Sequence, residues 1–232
     1  MAVILDGKKL RDKLLDELHL RTAKFDKKPK LVVILVGDNP ASVIYVNNKR
    51  KFAEKAGIDS EIINYPSKVQ EDELLNKIKE LNGDNSVNGL LVQLPLPKHI
   101  DKSKVINTIS PMKDVDCFTA VNCGKLFTGE KPYVFPCTPK GILLLLDEYN
   151  IDVEGKHVVI VGRSNIVGKP LSVMMLNRNA TVTICHSKTE NLSQITKTAD
   201  ILVSAVGKKI IEDSQIFCHS VCNNNVACFF ES

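Results

Sequence analysis

Apolar and polar positions along this chain follow two periods, one helical and one extended, and the two take turns. Leu10, Leu14, Leu15 and Leu18 recur at helical spacing within residues 7–24, which predicts an amphipathic helix. Residues 30–36 are nearly all apolar and stop at Gly37-Asp38-Asn39-Pro40, the pattern of a buried strand ending in a turn. Residues 41–56 read as helix, 60–65 as a short strand, 71–81 as helix and 87–94 as strand, after which Pro95 and Pro97 end the run. Residues 110–139 hold Pro111, Pro132, Pro136 and Pro139 and no long periodic run. The boundary between two lobes is therefore expected here, giving a first lobe over 1–138, a second over 139–216 and an atypical tail over 217–232.

The second lobe alternates the same way. Val158-Val159-Ile160-Val161 breaks at Gly162, and after Gly168 the residue Pro170 suits the first turn of a helix through Leu171 and Met175. Residues 180–185 form another β-branched run that ends in His186-Ser187-Lys188-Thr189. Residues 200–207 form a third, after a polar helix-like segment. Successive strand–helix repeats predict a parallel sheet. The expected class is α/β in two lobes, an N-terminal α/β lobe and a Rossmann-like, parallel-sheet lobe.

Composition narrows the function classes. Hydrophobic content of 44% with 25% charged residues is that of an ordinary globular chain, and the net charge of +4 is spread along it. That pattern predicts no nucleic-acid surface and leaves room for a groove that takes an anionic small molecule. No apolar run is long enough to cross a membrane, and residues 1–6 show no basic-then-apolar leader, so the expected compartment is the cytoplasm. Seven cysteines without a C-x-x-C pair read as reduced thiols. Cys218, Cys222 and Cys228 crowd near His219, but their spacings match no standard zinc module, and no metal is expected.

Candidate chemistry lies at the strand ends. Gly162 permits a tight turn, Ser164 adds a hydroxyl and Gly168 permits close backbone approach, which suits a phosphate; an ordinary strand-to-helix connection fits the same spacing. Arg163, one residue beyond the strand end, favours the phosphate reading, because a guanidinium can hold the 2′-phosphate of NADP. Where an NAD-binding sheet places an acid at the end of its second strand, this chain has Ser187 and Lys188. In the first lobe, Tyr45 and Lys49 share a helix face four residues apart, with Ser42 a turn earlier. A Tyr hydroxyl near a Lys amine readies it for proton transfer, although Lys49-Arg50-Lys51 also fits a solvated basic face. Gln93 is the one polar side chain between Leu90 and Leu96, and as a buried amide it needs a polar partner. In Lys113-Asp114-Val115-Asp116 one of the two carboxylates is expected to point inward; the pair also fits a simple turn.

Five segments in order carry a resemblance. Tyr45-Val46-Asn47-Asn48-Lys49, residues 89–97 (Gly-Leu-Leu-Val-Gln-Leu-Pro-Leu-Pro), Lys113-Asp114-Val115-Asp116, residues 136–141 (Pro-Cys-Thr-Pro-Lys-Gly) and residues 162–170 (Gly-Arg-Ser-Asn-Ile-Val-Gly-Lys-Pro) resemble the bifunctional methylenetetrahydrofolate dehydrogenase and methenyltetrahydrofolate cyclohydrolase family, in its short bacterial form, from about residue 5 to 207. The resemblance implies NADP-dependent oxidation of 5,10-methylenetetrahydrofolate, then hydrolysis of the methenyl product to 10-formyltetrahydrofolate, in a cleft between the lobes. Lys49 would be the acid/base group, Tyr45 would position the folate, Gln93 would hydrogen-bond Lys49, and Asp116 would anchor the pterin ring. Val46, Asn47, Asn48, Val92 and Leu94 would complete the substrate contacts. Gly162, Arg163, Ser164, Ile166, Val167, Gly168 and Ser187 would hold NADP. Tetrahydrofolate derivatives and a second copy of the chain, in a homodimer, are the implied partners.

Departures from the family pattern give further expectations. Cys117 stands where the family usually has Gly, and Thr119 where bacterial members usually have His. Beyond Gly207 the family's further strand, its Gly-Asp-Val segment and its glycine-rich loop are not seen, so the resemblance implies an N-terminal α/β substrate lobe and a Rossmann-like NADP lobe that is incomplete at its C-terminus. The composition shift from Phe217 onward reads as a truncation or a shifted frame, with an unpaired strand edge expected. The alternatives are an inactive truncated family member with residual nucleotide binding, or another two-lobed NADP dehydrogenase acting on shikimate-like acids. The latter leaves Tyr45, Lys49, Gln93 and Asp116 unexplained.

Overall fold

The computed structural model describes residues 4–206 and the backbone of Val226–Phe229. Two compact units emerge, Met1–Asn122 with Pro132–Val134, and Cys123–Lys131 with Phe135–Ser232.

In the first unit β1 (Lys30–Val36) lies between β2 (Asp59–Tyr65) and β3 (Gly89–Val92), and both pairings are parallel. Parallel neighbours need crossovers, and the helices α2 (Pro40–Lys55) and α3 (Glu71–Gly83) supply them. Strand side chains alternate between faces, so β1 serves two cores. Val32, Ile34 and Val36 pack with Leu74 and Ile78 of α3 and with Val105 of α4 (Lys102–Thr108). Val33 and Leu35 pack with Val46 of α2 and Leu91 of β3. A strand covered on both faces has no polar side, which is why it reads as an unbroken apolar run. The first helix, α1 (Gly7–Thr22), is capped by Asp6, which accepts from the Lys8 and Lys9 amides. It fully buries only Leu10 and Thr22.

In the second unit four parallel strands run in the order β5 (Thr181–Cys185), β4 (His157–Val161), β6 (Ile201–Ser204), β7 (Val226–Phe229). The chain winds outward from β4 in both directions, so the carboxyl end of β4 is the switch point of the sheet, where α/β folds place ligands. The α7 helix (Gly168–Leu176) links β4 to β5 and buries Leu171 and Met175, and α8 (Leu192–Thr196) links β5 to β6. The edge of β6 expected to stand unpaired carries β7, in register from Ile201 opposite Val226 to Ser204 opposite Phe229. Expectations for the rest of residues 207–232, among them Cys218, Cys222, His219 and the frame shift, lie outside the described residues, and of Cys228 only the backbone is described.

Three helices have no counterpart in the periodicity reading. The α4 helix is too short to show a repeat. The α5 helix (Ala120–Phe127) sits in the segment read as aperiodic. The α6 helix (Cys137–Glu148) hides its period in the run Ile142-Leu143-Leu144-Leu145-Leu146, of which all but Leu144 are buried. The strand expected over 87–94 is confined to Gly89–Val92. Among the described residues no helix is long and apolar enough to cross a membrane.

Candidate active site and nucleotide turn

The first unit gathers three of its predicted groups at the carboxyl end of β1 and β3. Asn39 caps α2, its Oδ1 accepting from the Ala41 and Ser42 amides at 3.0 and 3.2 Å. With Ser42 and Val46 turned into the core, the helix presents Tyr45 and Lys49 on the adjoining stripe. Gln93 follows β3 directly, its amide held by the Ile34 carbonyl at 2.9 Å. The Lys49 Nζ lies 3.5 Å from Gln93 Oε1, a long hydrogen bond, and 5.5 Å from the centre of the Tyr45 ring. The Gln93 Nε2 donates to the Leu94 carbonyl at 2.8 Å. That bond turns the amide oxygen toward Lys49, so Gln93 meets the lysine as an acceptor.

Not every residue of these motifs presents a side chain outward. Val46 and Val92 are 1% and 5% exposed and belong to the cores on opposite faces of the sheet. Asn47 and Asn48 are exposed, and Leu94 is half-buried. Residues two apart in an extended segment share a face, yet the members of the Asp pair differ in burial. Asp114 is 2% exposed, whereas Asp116 is half-buried. The Asp114 Oδ2 accepts from the Thr119 amide, the Thr119 hydroxyl and Asn122 Nδ2 at 2.9, 2.7 and 3.0 Å. Periodicity gives no hint of this network, since Thr119 and Asn122 lie in the proline-flanked stretch. The available signal was two side-chain donors shortly after a paired acid.

The second unit builds the turn at the end of β4. Gly162 has φ +129°, and a Cβ there would lie 2.5 Å from the Ala205 carbonyl oxygen, so only glycine fits. A Cβ on Gly168 would strike the Gly162 carbonyl oxygen and lie 3.1 Å from the Arg163 Cα, so the start of α7 rests directly on the turn. The Ser164 hydroxyl accepts from the Val167 and Gly168 amides at 3.1 and 3.4 Å and so braces the turn that leads into that helix. Arg163, Ser164 and Ile166 are exposed and Val167 is half-buried. Because β5 adjoins β4, the exposed Ser187, two residues past the end of β5, comes to the same carboxyl edge as Gly162 and Arg163. A turn of this kind can receive a phosphate, and Arg163 places a cation beside it.

The fold and these sites define a two-unit α/β protein with an amine, amide and carboxylate set in one unit and a nucleotide-type turn in the other. Residues 5–116 match the model of the tetrahydrofolate dehydrogenase/cyclohydrolase catalytic domain, and residues 136–222 match that of the NAD(P)-binding domain of the same family. The bifunctional protein FolD of Ligilactobacillus salivarius is 53% identical over 211 residues, which span 90% of this chain and 74% of that protein. FolD of Hydrogenobaculum sp. (strain Y04AAS1) is 54% identical over 205 residues, 88% of this chain and 74% of that protein. The crystal structure of FolD methylenetetrahydrofolate dehydrogenase/cyclohydrolase from Campylobacter jejuni superposes with a TM-score of 0.90 at 44% identity, covering 92% of this chain and 77% of that one. The Trypanosoma brucei enzyme, solved with NADP cofactor and inhibitor, gives a TM-score of 0.85 at 34% identity over 89% of this chain and 72% of that one. The chain belongs to the bifunctional tetrahydrofolate dehydrogenase/cyclohydrolase family.

Proposed function

We propose that this chain oxidises 5,10-methylenetetrahydrofolate with NADP and hydrolyses the 5,10-methenyl product to 10-formyltetrahydrofolate. The observation that carries the reading is the placement of Lys49 against both Gln93 and Tyr45 at the carboxyl end of a parallel sheet. NADP, when bound, accepts the hydride from the methylene carbon. For that cofactor the chain supplies backbone approach at Gly162 and Gly168, the guanidinium of Arg163 and the hydroxyl of Ser187. The Cβ positions of both glycines are filled by the protein's own backbone, so glycine lets α7 start directly on the turn with its N-terminal amides toward the end of β4.

Hydrolysis needs protons moved at two atoms. Lys49 takes one from the water that attacks the methenyl carbon and gives it to the nitrogen released as the ring opens, while the remaining hydroxyl proton passes to solvent as the formyl carbonyl forms. Gln93, oriented by the Leu94 carbonyl, holds the amine in place, and the Tyr45 ring lies along the same helix face for the pterin to stack on. Asp116 accepts from the amino and ring N–H groups of the pterin, a pairing that suits a carboxylate. Homodimerisation and a cytoplasmic setting belong to the same reading and rest on the resemblance. The test is Lys49→Met. We expect methenyltetrahydrofolate hydrolysis to fall by about a hundredfold or more while folate binding persists; hydrolysis at the wild-type rate would remove Lys49 from the mechanism.

A further inference from the structure

We propose that Asp114, through Thr119 and Asn122, is the positioning residue that sets where Asp116 meets the substrate. This rests on the reading of Asp116 as the pterin anchor. Asp114 is held from both sides. Its backbone forms a parallel bridge with Leu90 of β3, the Leu90 amide donates to the Lys113 carbonyl at 2.7 Å, and the Val115 side chain packs on Gly89. The Lys113 Nζ reaches the carbonyls of Leu81, Asn82 and Asp84 at 2.9, 2.9 and 2.7 Å, which ties the segment to the end of α3.

Residues 118–122 close the far side. The Phe118 amide donates to Asp114 Oδ1 at 3.1 Å, and the Thr119 amide, Thr119 hydroxyl and Asn122 Nδ2 share Oδ2. Asn122, fully buried, also donates to the Pro111 carbonyl at 2.8 Å and accepts from the Tyr133 amide at 3.2 Å. Four donors on one buried carboxylate offset its desolvation, and a neutral amide at 114 would turn an NH2 toward some of them. Asp116 and the left-handed Cys117 form the span between these two anchors. The network therefore acts on Asp116 through the backbone on either side of it, and Thr119 takes its part with both its amide and its hydroxyl.

The experiment compares Asp114→Asn, Thr119→Val and Thr119→Ser with the wild-type chain, measuring KM for both folate substrates, KM for NADP, kcat per active site and Tm. A displaced anchor should raise the folate KM about tenfold in Asp114→Asn and Thr119→Val. The KM for NADP should stay within about twofold, and Thr119→Ser should restore the folate KM. Thr119→Val keeps the side-chain shape and serves if Asp114→Asn does not fold. An unchanged folate KM in Thr119→Val, with only Tm or the active fraction lowered, overturns the positioning role. A wild-type chain that neither binds nor oxidises methylenetetrahydrofolate overturns instead the functional reading beneath it.

Discussion

Gly168→Ala tests whether the turn at the end of β4 is a rigid phosphate cradle. The added Cβ falls on the Gly162 carbonyl oxygen and 3.1 Å from the Arg163 Cα. Both obstacles are backbone of the very turn that presents Arg163 and Ser164, so no rotamer change relieves them. Comfortable carbon contacts need about 3.5 Å, so α7 must retreat by roughly an ångström or more. Overpacking of this kind costs about 1–3 kcal/mol, which in a chain of this size lowers Tm by about 2–4 °C for each kcal/mol. The same retreat draws the helix N-terminus off a bound phosphate, and the KM for NADP should rise about tenfold or more. Gly124→Ala in α5 is the matched control. Nothing lies within 4 Å of its Cβ position and its φ is ordinary, so the alanine should stabilise by about 0.5–1 kcal/mol. Thermal melts and NADP titrations of the two variants read out both quantities. If Gly168→Ala melts and binds NADP like the wild type, the turn is compliant and the argument for a cradle built from backbone contact fails.

Two further outcomes follow from single side chains. Arg163→Ala should raise the KM for NADP well above its effect on NAD, because only NADP carries the extra phosphate; equal effects in steady-state assays with both nucleotides would exclude Arg163 as its reader. Glu71 accepts from Lys104 Nζ at 2.6 Å and from the Asp101 amide at 2.7 Å, and these bonds, the lysine's first, hold its carboxyl below the usual carboxylate range. A lowered folded-state value means the contribution is present above the ordinary carboxylate pKa and is lost as pH falls through the lowered one. Glu71→Gln should therefore flatten part of the decline in Tm from about pH 5 downward, and an unchanged acid limb would show that this pair contributes nothing.

Sequence periodicity reaches the sheets well and the joints between elements poorly. The residues of β1 and β4 are apolar because both faces of each strand are covered, and that signal survives without any tertiary knowledge. Tyr45 and Lys49 were legible as neighbours because helical spacing alone puts them on one stripe. Their meeting with Gln93, 44 positions away, depends on β1 pairing with β3, which no local pattern states. The α6 helix was hidden for the opposite reason, since its inward face and its flanks are both leucine-rich and the period disappears.

The loop after Asp116 shows how flanking bonds can dictate the path of a strained turn. Cys117 has φ +59°, a conformation that costs a residue with a Cβ about 1–2 kcal/mol and that glycine adopts freely. Its side chain is only 1% exposed, and burying an apolar group the size of a thiol returns about 1 kcal/mol. The two effects nearly cancel, so the backbone path is dictated by what flanks it and not by the preference of residue 117. Those flanks are the bridge of Asp114 to Leu90 on one side and the bonds of Phe118 and Thr119 to the Asp114 carboxylate on the other. Cys117→Gly should therefore leave Tm and the folate KM close to wild type, and a large change in either would show that the turn residue itself sets the path to Asp116.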